Sequence, residues 1–184
     1  SVAHITSRNT YENNKPVIGG LFDPRMGVLD PGLICPTDGL NYMTTPGYFG
    51  HLELARPVFY IQYLTTIIKI LRCTCLKCSK LLIRKEKYKH LLEKKGKERW
   101  DIVFKLASKI TRCGEENDNG CGTKQPNKIY KEGLATIYAE WIGLEKPVLS
   151  QEGVEPDESV PNKIIQKLIP ELVLKIFRRI SDED

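Results

Sequence analysis

Apolar side chains recur at helical spacing in four parts of the chain, and each pattern predicts a helix. The first helix spans about three turns and leads directly into a cysteine pair; its apolar residues are Ile61, Leu64, Ile67, Ile68 and Leu71. The last helix begins at Pro170, because a first helical position tolerates the missing N–H. Its apolar residues are Leu172, Val173, Ile176, Phe177 and Ile180.

The lysine-rich stretch between these two helices predicts two further helices that meet at Gly96. The first half carries a short apolar stripe formed by Tyr88, Leu91 and Leu92. The second half carries a longer stripe, formed by Trp100, Val103, Phe104, Ala107 and Ile110.

Strand patterns occur at three places. Residues 52–60 are of β type and alternate in part, and residues 164–168 suit a strand. Residues 128–131 and 134–141 predict a hairpin, joined by Glu132-Gly133 with the glycine in the left-handed turn position. Helices and strands in this order predict an α+β fold.

The remaining stretches predict turns and connections. Residues 18–27 contain glycine, aspartate and proline in turn positions, and the acidic residues 154–161 predict an exposed loop. The 184 residues, 41% hydrophobic, are enough for one globular domain or for part of one. Because the chain starts at Ser1 rather than methionine and ends in an acidic run after an amphipathic segment, we expect a fragment of a longer polypeptide.

No apolar run has the length of a membrane span, since charged residues and a proline interrupt the stretch 52–71. The chain also lacks an apolar N-terminal signal segment and is rich in lysine. These features predict a soluble intracellular protein that does not bind membranes.

Positive charge is concentrated in one segment. The chain carries a net charge of +5, whereas residues 79–112, called the basic insert below, hold twelve Lys or Arg and four acidic residues, a net charge of +8. Such a cluster displaces counterions from phosphates and favours a nucleic-acid surface. The alternative is a solvated helical face, since lysine-rich surface helices are common. The lysines that we expect on the binding surface are Lys85, Lys87, Lys89, Lys94 and Lys95.

Four cysteines are spaced as two pairs, Cys75 with Cys78 and Cys113 with Cys121. A CxxC turn directs two sulfurs at one point, and four thiolates form the closed tetrahedron that structural Zn²⁺ prefers. The second pair has an unusual spacing, but its polar glycine-flanked loop would let the sulfurs converge. Free thiols and disulfides remain the alternatives, and the predicted reducing compartment disfavours disulfides.

Patterns typical of hydrolases or nucleotide-binding enzymes are absent from the sequence. There is no nucleophile elbow, paired-carboxylate motif or glycine-rich phosphate loop. No residue is identified as a base that could activate the Cys35 thiol. His4 and His90 lack suitable neighbours in sequence, whereas His51, which follows Phe49-Gly50, is a possible metal ligand.

Several motifs resemble, in order and spacing, the N-terminal region of the largest subunit of eukaryotic-type RNA polymerase II. They are the runs 23–27, 35–41, 46–59, 75–82, 120–122, 125–126, 131–134, 169–171 and 177–184. The resemblance covers nearly the whole chain and is weak at residues 84–112 and 142–160. It implies a fragment of the polymerase clamp, which holds the template DNA and the RNA–DNA hybrid in the cleft, with a function in transcription.

The family's clamp binds two zinc ions, and the resemblance implies different outcomes for the two sites. The four ligand positions of the second site fall on Cys75, Cys78, Cys113 and Cys121, so we expect one structural zinc there. Cys73 is then a spare thiol with a role in packing or beside the site.

The four ligand positions of the first site fall on Cys35, Asp38, Thr45 and Tyr48, and only the cysteine is retained. Because the family's ligating histidine falls on Tyr48, the resemblance implies that His51 is a structural histidine rather than a metal ligand. Threonine and tyrosine are poor zinc ligands at neutral pH, so we expect no metal there. We expect the loop to be held by its turns, by hydrogen bonds among Asp38, Thr45 and Tyr48, and by burial of four apolar residues. Those residues are Leu40, Tyr42, Met43 and Phe49. A rebuilt site of Cys35, Asp38 and His51 is the competing possibility.

By resemblance, the chain would act inside a nucleotidyltransferase without catalytic residues of its own. The Asp-rich loop that holds Mg²⁺ in the polymerase does not occur here, so Mg²⁺ is expected only in the full enzyme. Expected partners are other polymerase subunits including the second-largest, DNA, the RNA–DNA hybrid and transcription factors. Three parts are expected. Residues 1–72 form the clamp core with the altered first zinc loop, and residues 73–125 contain the basic helical insert with the zinc ligands on either side of it. Residues 126–184 form the hairpin, the acidic loop and the C-terminal strand and helix.

Two other functions remain open from sequence alone. A free-standing zinc-dependent DNA-binding module would use the basic insert as its main surface, and an interaction scaffold would use it to dock transcription factors. The expected location is the nucleus for a cellular protein, or a virion or virus factory for a viral one. The departures from the family pattern favour a divergent lineage such as a large DNA virus.

Overall fold

The computed structural model describes residues 1–117, 119–143, 154–156 and 163–181, with no side-chain account of 154–156. The chain divides into two compact units, Ser1–Ala55 and Arg56–Asp184. The three sequence-based parts given above remain a prediction.

The first unit contains little regular structure. A short hairpin pairs β1 (Tyr11–Glu12) with β2 (Lys15–Pro16), and a single 3₁₀ turn spans Pro24–Met26. The buried carboxylate of Asp23 begins this turn and accepts hydrogen bonds from the backbone N–H groups of Gly19 and Arg25 and from the Arg25 guanidinium. The Arg25 guanidinium opposes the effect of burial and, with the two backbone donors, lowers the pKa of Asp23 to about 2.

The strand prediction for residues 52–60 is wrong. His51 makes an isolated bridge to His4, but the chain after it has no strand conformation, and Leu52, Leu54 and Val58 are exposed. Partial alternation of β-type residues is insufficient, because a strand exists only where a neighbouring backbone pairs with it.

In the second unit, the predicted helix before the cysteine pair is confirmed. A 3₁₀ turn at Ile61–Tyr63 continues into α1 (Leu64–Cys73). This helix lies at one side of a core that also includes the sheet and the last helix, and whose buried residues are Leu64, Leu71, Leu76, Ile129, Ile137, Ala139, Trp141, Leu168, Val173 and Ile176.

A four-stranded antiparallel sheet places β3 (Lys128–Glu132) beside β4 (Thr136–Ile142), β4 beside β6 (Lys163–Lys167), and β6 beside the edge strand β5 (Val154–Pro156). The predicted hairpin is confirmed as β3 (Lys128–Glu132) and β4 (Thr136–Ile142), with Gly133 at a φ of 61°. The predicted strand before Pro170 is confirmed as β6 (Lys163–Lys167), and it is followed by α3 (Pro170–Phe177), which begins with the proline as expected.

The predicted loop at 154–161 is partly wrong. Residues Val154–Pro156 form the edge strand β5, which pairs with β6. A short acidic stretch can add to a sheet edge because backbone hydrogen bonds do not depend on side-chain polarity. Residues 157–161 lie outside the described residues.

The basic insert differs in its first half from the two predicted helices. Glu86–Glu93 is 3₁₀ with a non-helical Tyr88, whereas Gly96–Ala107 is an α-helix, α2, that ends before Ile110. The short apolar stripe around Tyr88 is too brief to stabilise a continuous helix. Among the described residues, no helix is both long and apolar enough to cross a membrane.

Candidate metal centre

The Cys75–Cys78 turn follows directly from the end of α1. Thr74 pairs with Leu81 in an isolated bridge, the Cys75 N–H donates to the Lys80 carbonyl at 2.9 Å, and the Ser79 N–H donates to the Cys75 carbonyl at 2.8 Å. Ser79 has a left-handed φ of 63°, which closes the turn. These backbone hydrogen bonds hold Cys75 and Cys78 in one closed turn.

A second turn presents the other two cysteines. Arg112 pairs with Lys124 in an isolated bridge, and the Cys113 N–H donates to the Thr123 carbonyl at 2.9 Å. The loop between the cysteines closes where Gly120 meets Gly114: a Cβ at Gly120 would lie closer to the Gly114 backbone than real Cβ atoms do. The glycines therefore allow the unusual spacing of this pair.

The four thiol sulfurs converge. All lie within 4.8 Å of one another, with 3.5 Å between the Sγ atoms of Cys75 and Cys121 and 3.7 Å between those of Cys78 and Cys113. Zinc–sulfur bonds of about 2.3 Å require sulfur–sulfur separations of about 3.8 Å in a tetrahedron. The donor set and its spacing therefore fit one zinc ion.

Burial opposes the ionisation of two of these thiols, because it raises the pKa of Cys75 and raises that of Cys113 to about 12. Burial also acts on Cys121, but its hydrogen bonds to Thr123 and to neighbouring thiols outweigh that effect and lower its pKa to about 6. Metal binding requires thiolates, so a divalent cation bound here would supply the positive charge that offsets them.

Gln125 is a part of the centre that sequence analysis missed. The side chain is buried, and its Nε2 donates to the Cys75 Sγ at 3.3 Å and to the Thr123 carbonyl at 3.1 Å. Its Oε1 accepts from the Leu76 N–H at 3.3 Å. In the sequence, Gln125 stands out only as part of a motif that resembles the polymerase family. A single glutamine in a loop forms no spacing pattern from which a role beside the cysteines could be predicted.

Cys73 lies outside the group of four sulfurs and packs in a small apolar cluster that also contains Cys75 and Cys113. Its neighbours there include Leu82, Ile83 and Ala107. Burial raises the pKa of the Cys73 thiol to about 11, as expected of a packing residue.

The predicted hydrogen bonds of the first loop are confirmed. Asp38 Oδ2 accepts from the Thr45 hydroxyl at 2.7 Å and from the Tyr48 hydroxyl at 3.0 Å, while Oδ1 accepts from the Leu40 N–H. Desolvation alone would raise the pKa of Asp38, but these donors outweigh it and the pKa is lowered. Cys35 is buried beside this cluster.

The predicted burial in this loop is wrong. Leu40, Tyr42, Met43 and Phe49 are exposed, and Phe49 retains 90% of its accessible surface. These four side chains are not buried by other residues, so hydrogen bonds from the backbone and to the Asp38 carboxylate hold the loop in place of apolar packing. The competing ligand set of Cys35, Asp38 and His51 is not among the groups of ligand atoms that converge in the described chain.

His4 does have suitable neighbours, contrary to the sequence-based expectation. Its ring stacks on that of His51 with a centroid distance of 4.6 Å, and Glu53 completes a group of three potential ligands. Partners this distant in sequence could not be recognised from local spacing.

Two lysines of the basic insert have carboxylate partners. Lys87 pairs with Glu116 at 3.2 Å, and Lys94 pairs with Glu98 at 2.5 Å. Lys89 and Lys95 are exposed, as is Lys97, and these three make no ion pair with a described residue. Lys85 is half-buried.

A family model described as RNA polymerase Rpb1, domain 1, matches residues 1–184. The chain is 34% identical to DNA-directed RNA polymerase subunit 1 of Acanthamoeba polyphaga mimivirus, over 98% of this chain and 12% of that protein. It is 39% identical to subunit Rpo1N of Methanocaldococcus jannaschii, over 94% of this chain and 13% of that protein. It is also 35% identical to RNA polymerase II subunit RPB1 of Euplotoides octocarinatus, over the whole chain and 38% of that protein. The chain thus spans well under half the length of these relatives.

Proposed function

Because the chain belongs to the RNA polymerase Rpb1 domain 1 family, we propose that it is the N-terminal clamp region of the largest subunit of a DNA-directed RNA polymerase. The match over residues 1–184 is the observation that carries this proposal. Relatives named as polymerase subunits in a virus, an archaeon and a eukaryote support it. The clamp would hold template DNA and the RNA–DNA hybrid while the rest of the enzyme joins nucleotides.

One zinc ion on Cys75, Cys78, Cys113 and Cys121 would be structural in this role. Each pair is held by its own backbone turn, and the two pairs flank the basic insert. A closed tetrahedron leaves no open position for substrate, so the ion would contribute stability rather than catalysis. It would tie the two ends of the insert together.

The loop between Cys113 and Cys121 also contacts the beginning of the insert. The Asn117 amide donates to the Leu81 carbonyl at 2.8 Å, Lys80 donates to the Asn119 carbonyl at 2.8 Å, and Glu116 pairs with Lys87. These contacts orient the insert and neutralise Lys87. The charge available to nucleic acid therefore centres on exposed lysines further along the insert.

We infer that Lys89, Lys95 and Lys97 make the main electrostatic contribution, through phosphates rather than bases. Lys87 and Lys94, expected from sequence to contribute, already have carboxylate partners, and their contribution would be smaller. Lysine ammonium groups on a flexible stem recognise charge and not sequence. The contribution would therefore be affinity and retention on DNA.

Catalysis would depend on other parts of the subunit. The sequence contains no Asp-rich loop for Mg²⁺, and the zinc-type cluster has no open position for a nucleophile. Other polymerase subunits including the second-largest, together with transcription factors, are the proposed protein partners. The site of action would be the nucleus of a cell, or a virus factory or virion for a viral enzyme.

The test uses the assembled polymerase with Lys89, Lys95 and Lys97 changed to glutamate. We expect weaker retention on template DNA at raised salt, and a salt slope that falls by about 0.9 for each lost phosphate contact. The matched control changes Lys15, Lys131 and Lys175, which are exposed lysines outside the insert, to glutamate.

Equal retention and equal salt slopes in the two variants would contradict the nucleic-acid role of the insert. Loss of transcription-factor binding with unchanged DNA retention would instead support a docking scaffold.

A further inference from the structure

A second group of potential metal ligands lies in the first unit and does not include any residue of the four-cysteine cluster. One ring nitrogen of His4, one of His51 and a carboxylate oxygen of Glu53 lie within 4.8 Å of one another. We propose that these three residues bind a divalent transition-metal ion of the Zn²⁺ class.

The backbone fixes the two histidines side by side. His4 and His51 form a parallel bridge, in which the His51 N–H donates to the Ala3 carbonyl at 2.9 Å and the Ile5 N–H donates to the His51 carbonyl at 2.8 Å. Little backbone ordering would therefore remain to be done when a metal binds. The rings stack nearly parallel, at 7°, so they would rotate about their side-chain bonds to direct one nitrogen of each at the same ion.

Gly50 makes this close approach possible. A Cβ at that position would lie 2.5 Å from the Met26 sulfur and 3.1 Å from the Ala3 carbonyl oxygen. A side chain at residue 50 would require the Met26 side chain and the Ala3 backbone to shift. Glu53 lies two residues after His51, and its carboxylate oxygen is within 4.8 Å of the ligand nitrogens of both histidines.

The Ser1 hydroxyl lies beside the His51 ring. Its oxygen is 2.6 Å from His51 Nδ1 and 3.2 Å from the Ala3 carbonyl oxygen. A hydrogen bond at Nδ1 orients the ring, and Nε2 would then be the nitrogen available to a metal, as in many metal-binding histidines.

The ligand set determines the class of metal. Two imidazoles and one carboxylate suit Zn²⁺ and neighbouring first-row divalent ions, whereas Mg²⁺ and Ca²⁺ prefer oxygen ligands. All three side chains are exposed, so their rotation is not blocked by packing. Rotation can bring the three ligand atoms to metal–ligand distances of about 2.1 Å from one ion. Water would complete the coordination.

The first experiment measures the zinc content of the assembled polymerase after equilibration with buffered free Zn²⁺. We expect one more bound ion in the wild type than in the His4→Ala and His51→Ala variants. Glu53→Gln should weaken binding of that ion by about 10-fold or more, the scale set by loss of groups that support a metal ligand. His90→Ala is the matched control, since His90 is exposed and outside the group, and it should leave the zinc content unchanged.

Diethyl pyrocarbonate labelling, read by mass spectrometry, locates the ion. Zn²⁺ should protect His4 and His51 but not His90. Equal zinc contents in wild type and variants, or labelling of His4 and His51 that zinc does not change, would overturn the proposal. Rings that remain unlabelled without zinc would overturn it as well, since the site would then be closed to solvent in the polymerase.

Discussion

The Thr45 hydroxyl donates a 2.7 Å hydrogen bond to the carboxylate of Asp38, at two positions where the resemblance to the polymerase family implies zinc ligands. Tyr48, at a third such position, donates to the same oxygen at 3.0 Å. A carboxylate with two hydroxyl donors thus joins the parts of the loop that a metal would otherwise join. Polar hydrogen bonds can replace a crosslink where the loop is already closed by backbone turns.

Thr45→Val should loosen this loop while keeping its shape. The variant removes one donor to Asp38 and should lower the local free energy of opening by about 1 kcal/mol. Hydrogen exchange of the loop amides in the assembled polymerase measures this change. Thr44→Val is the control at the adjacent residue, because the Thr44 hydroxyl contacts Asn41 and not Asp38; equal exchange in the two variants would contradict the account.

The charge of Asp38 sets the pH range in which the loop is stable. Its folded pKa is lowered, so the stabilisation is fully present above the ordinary aspartate pKa of about 3.9 and is lost as pH falls through the folded value. Loop protection should therefore be constant from about pH 7 to pH 5. Asp38→Asn should lose protection already at pH 7, because the amide lacks the charge; protection that changes in the wild type between pH 7 and 5 would contradict this assignment.

The helix before the cysteines, the hairpin at Gly133 and the start of α3 at Pro170 could be predicted from sequence, because each depends on local periodicity or turn chemistry. The cysteine grouping could also be predicted, from spacing and resemblance. Partners distant in sequence could not: the stacking of His4 on His51 and the role of Gln125 depend on how backbone segments meet. The strand predicted at residues 52–60 is wrong because alternating polar and apolar residues do not show whether a neighbouring strand is present to pair with them.

Gly120→Ala should prevent the cysteine loop from closing. The added Cβ would collide with the backbone of Gly114, so the loop between Cys113 and Cys121 must shift and zinc retention should fall. Gly96→Ala is the contrasting control, since no atom lies within 4 Å of its added Cβ and alanine favours a helix by about 0.5–1 kcal/mol. Chelator-induced zinc release compares the two, and equal release rates would show that the glycine contact is unimportant.

Gln125→Leu should weaken the metal centre without removing a ligand. The change deletes the donor to Cys75 and leaves the Leu76 N–H and the Thr123 carbonyl without their Gln125 partners. We expect zinc affinity to fall by about 10-fold to 100-fold. Competition with a chelator of known affinity measures the change. Gln62→Leu, at an exposed glutamine outside the cluster, should have no effect; a similar loss in both variants would argue against a specific role for Gln125.

The zinc content of the assembled polymerase carrying Cys78→Ser, compared with Cys35→Ala, tests the central claim most directly. Structural zinc contributes folding free energy, so loss of the Cys78 thiolate should remove one zinc ion per polymerase and destabilise this region by several kcal/mol. Cys35→Ala should leave the zinc content unchanged, because Asp38, Thr45 and Tyr48 hold that loop through hydrogen bonds. Full zinc content and full thermal stability in Cys78→Ser, or loss of a zinc ion in Cys35→Ala, would contradict the account.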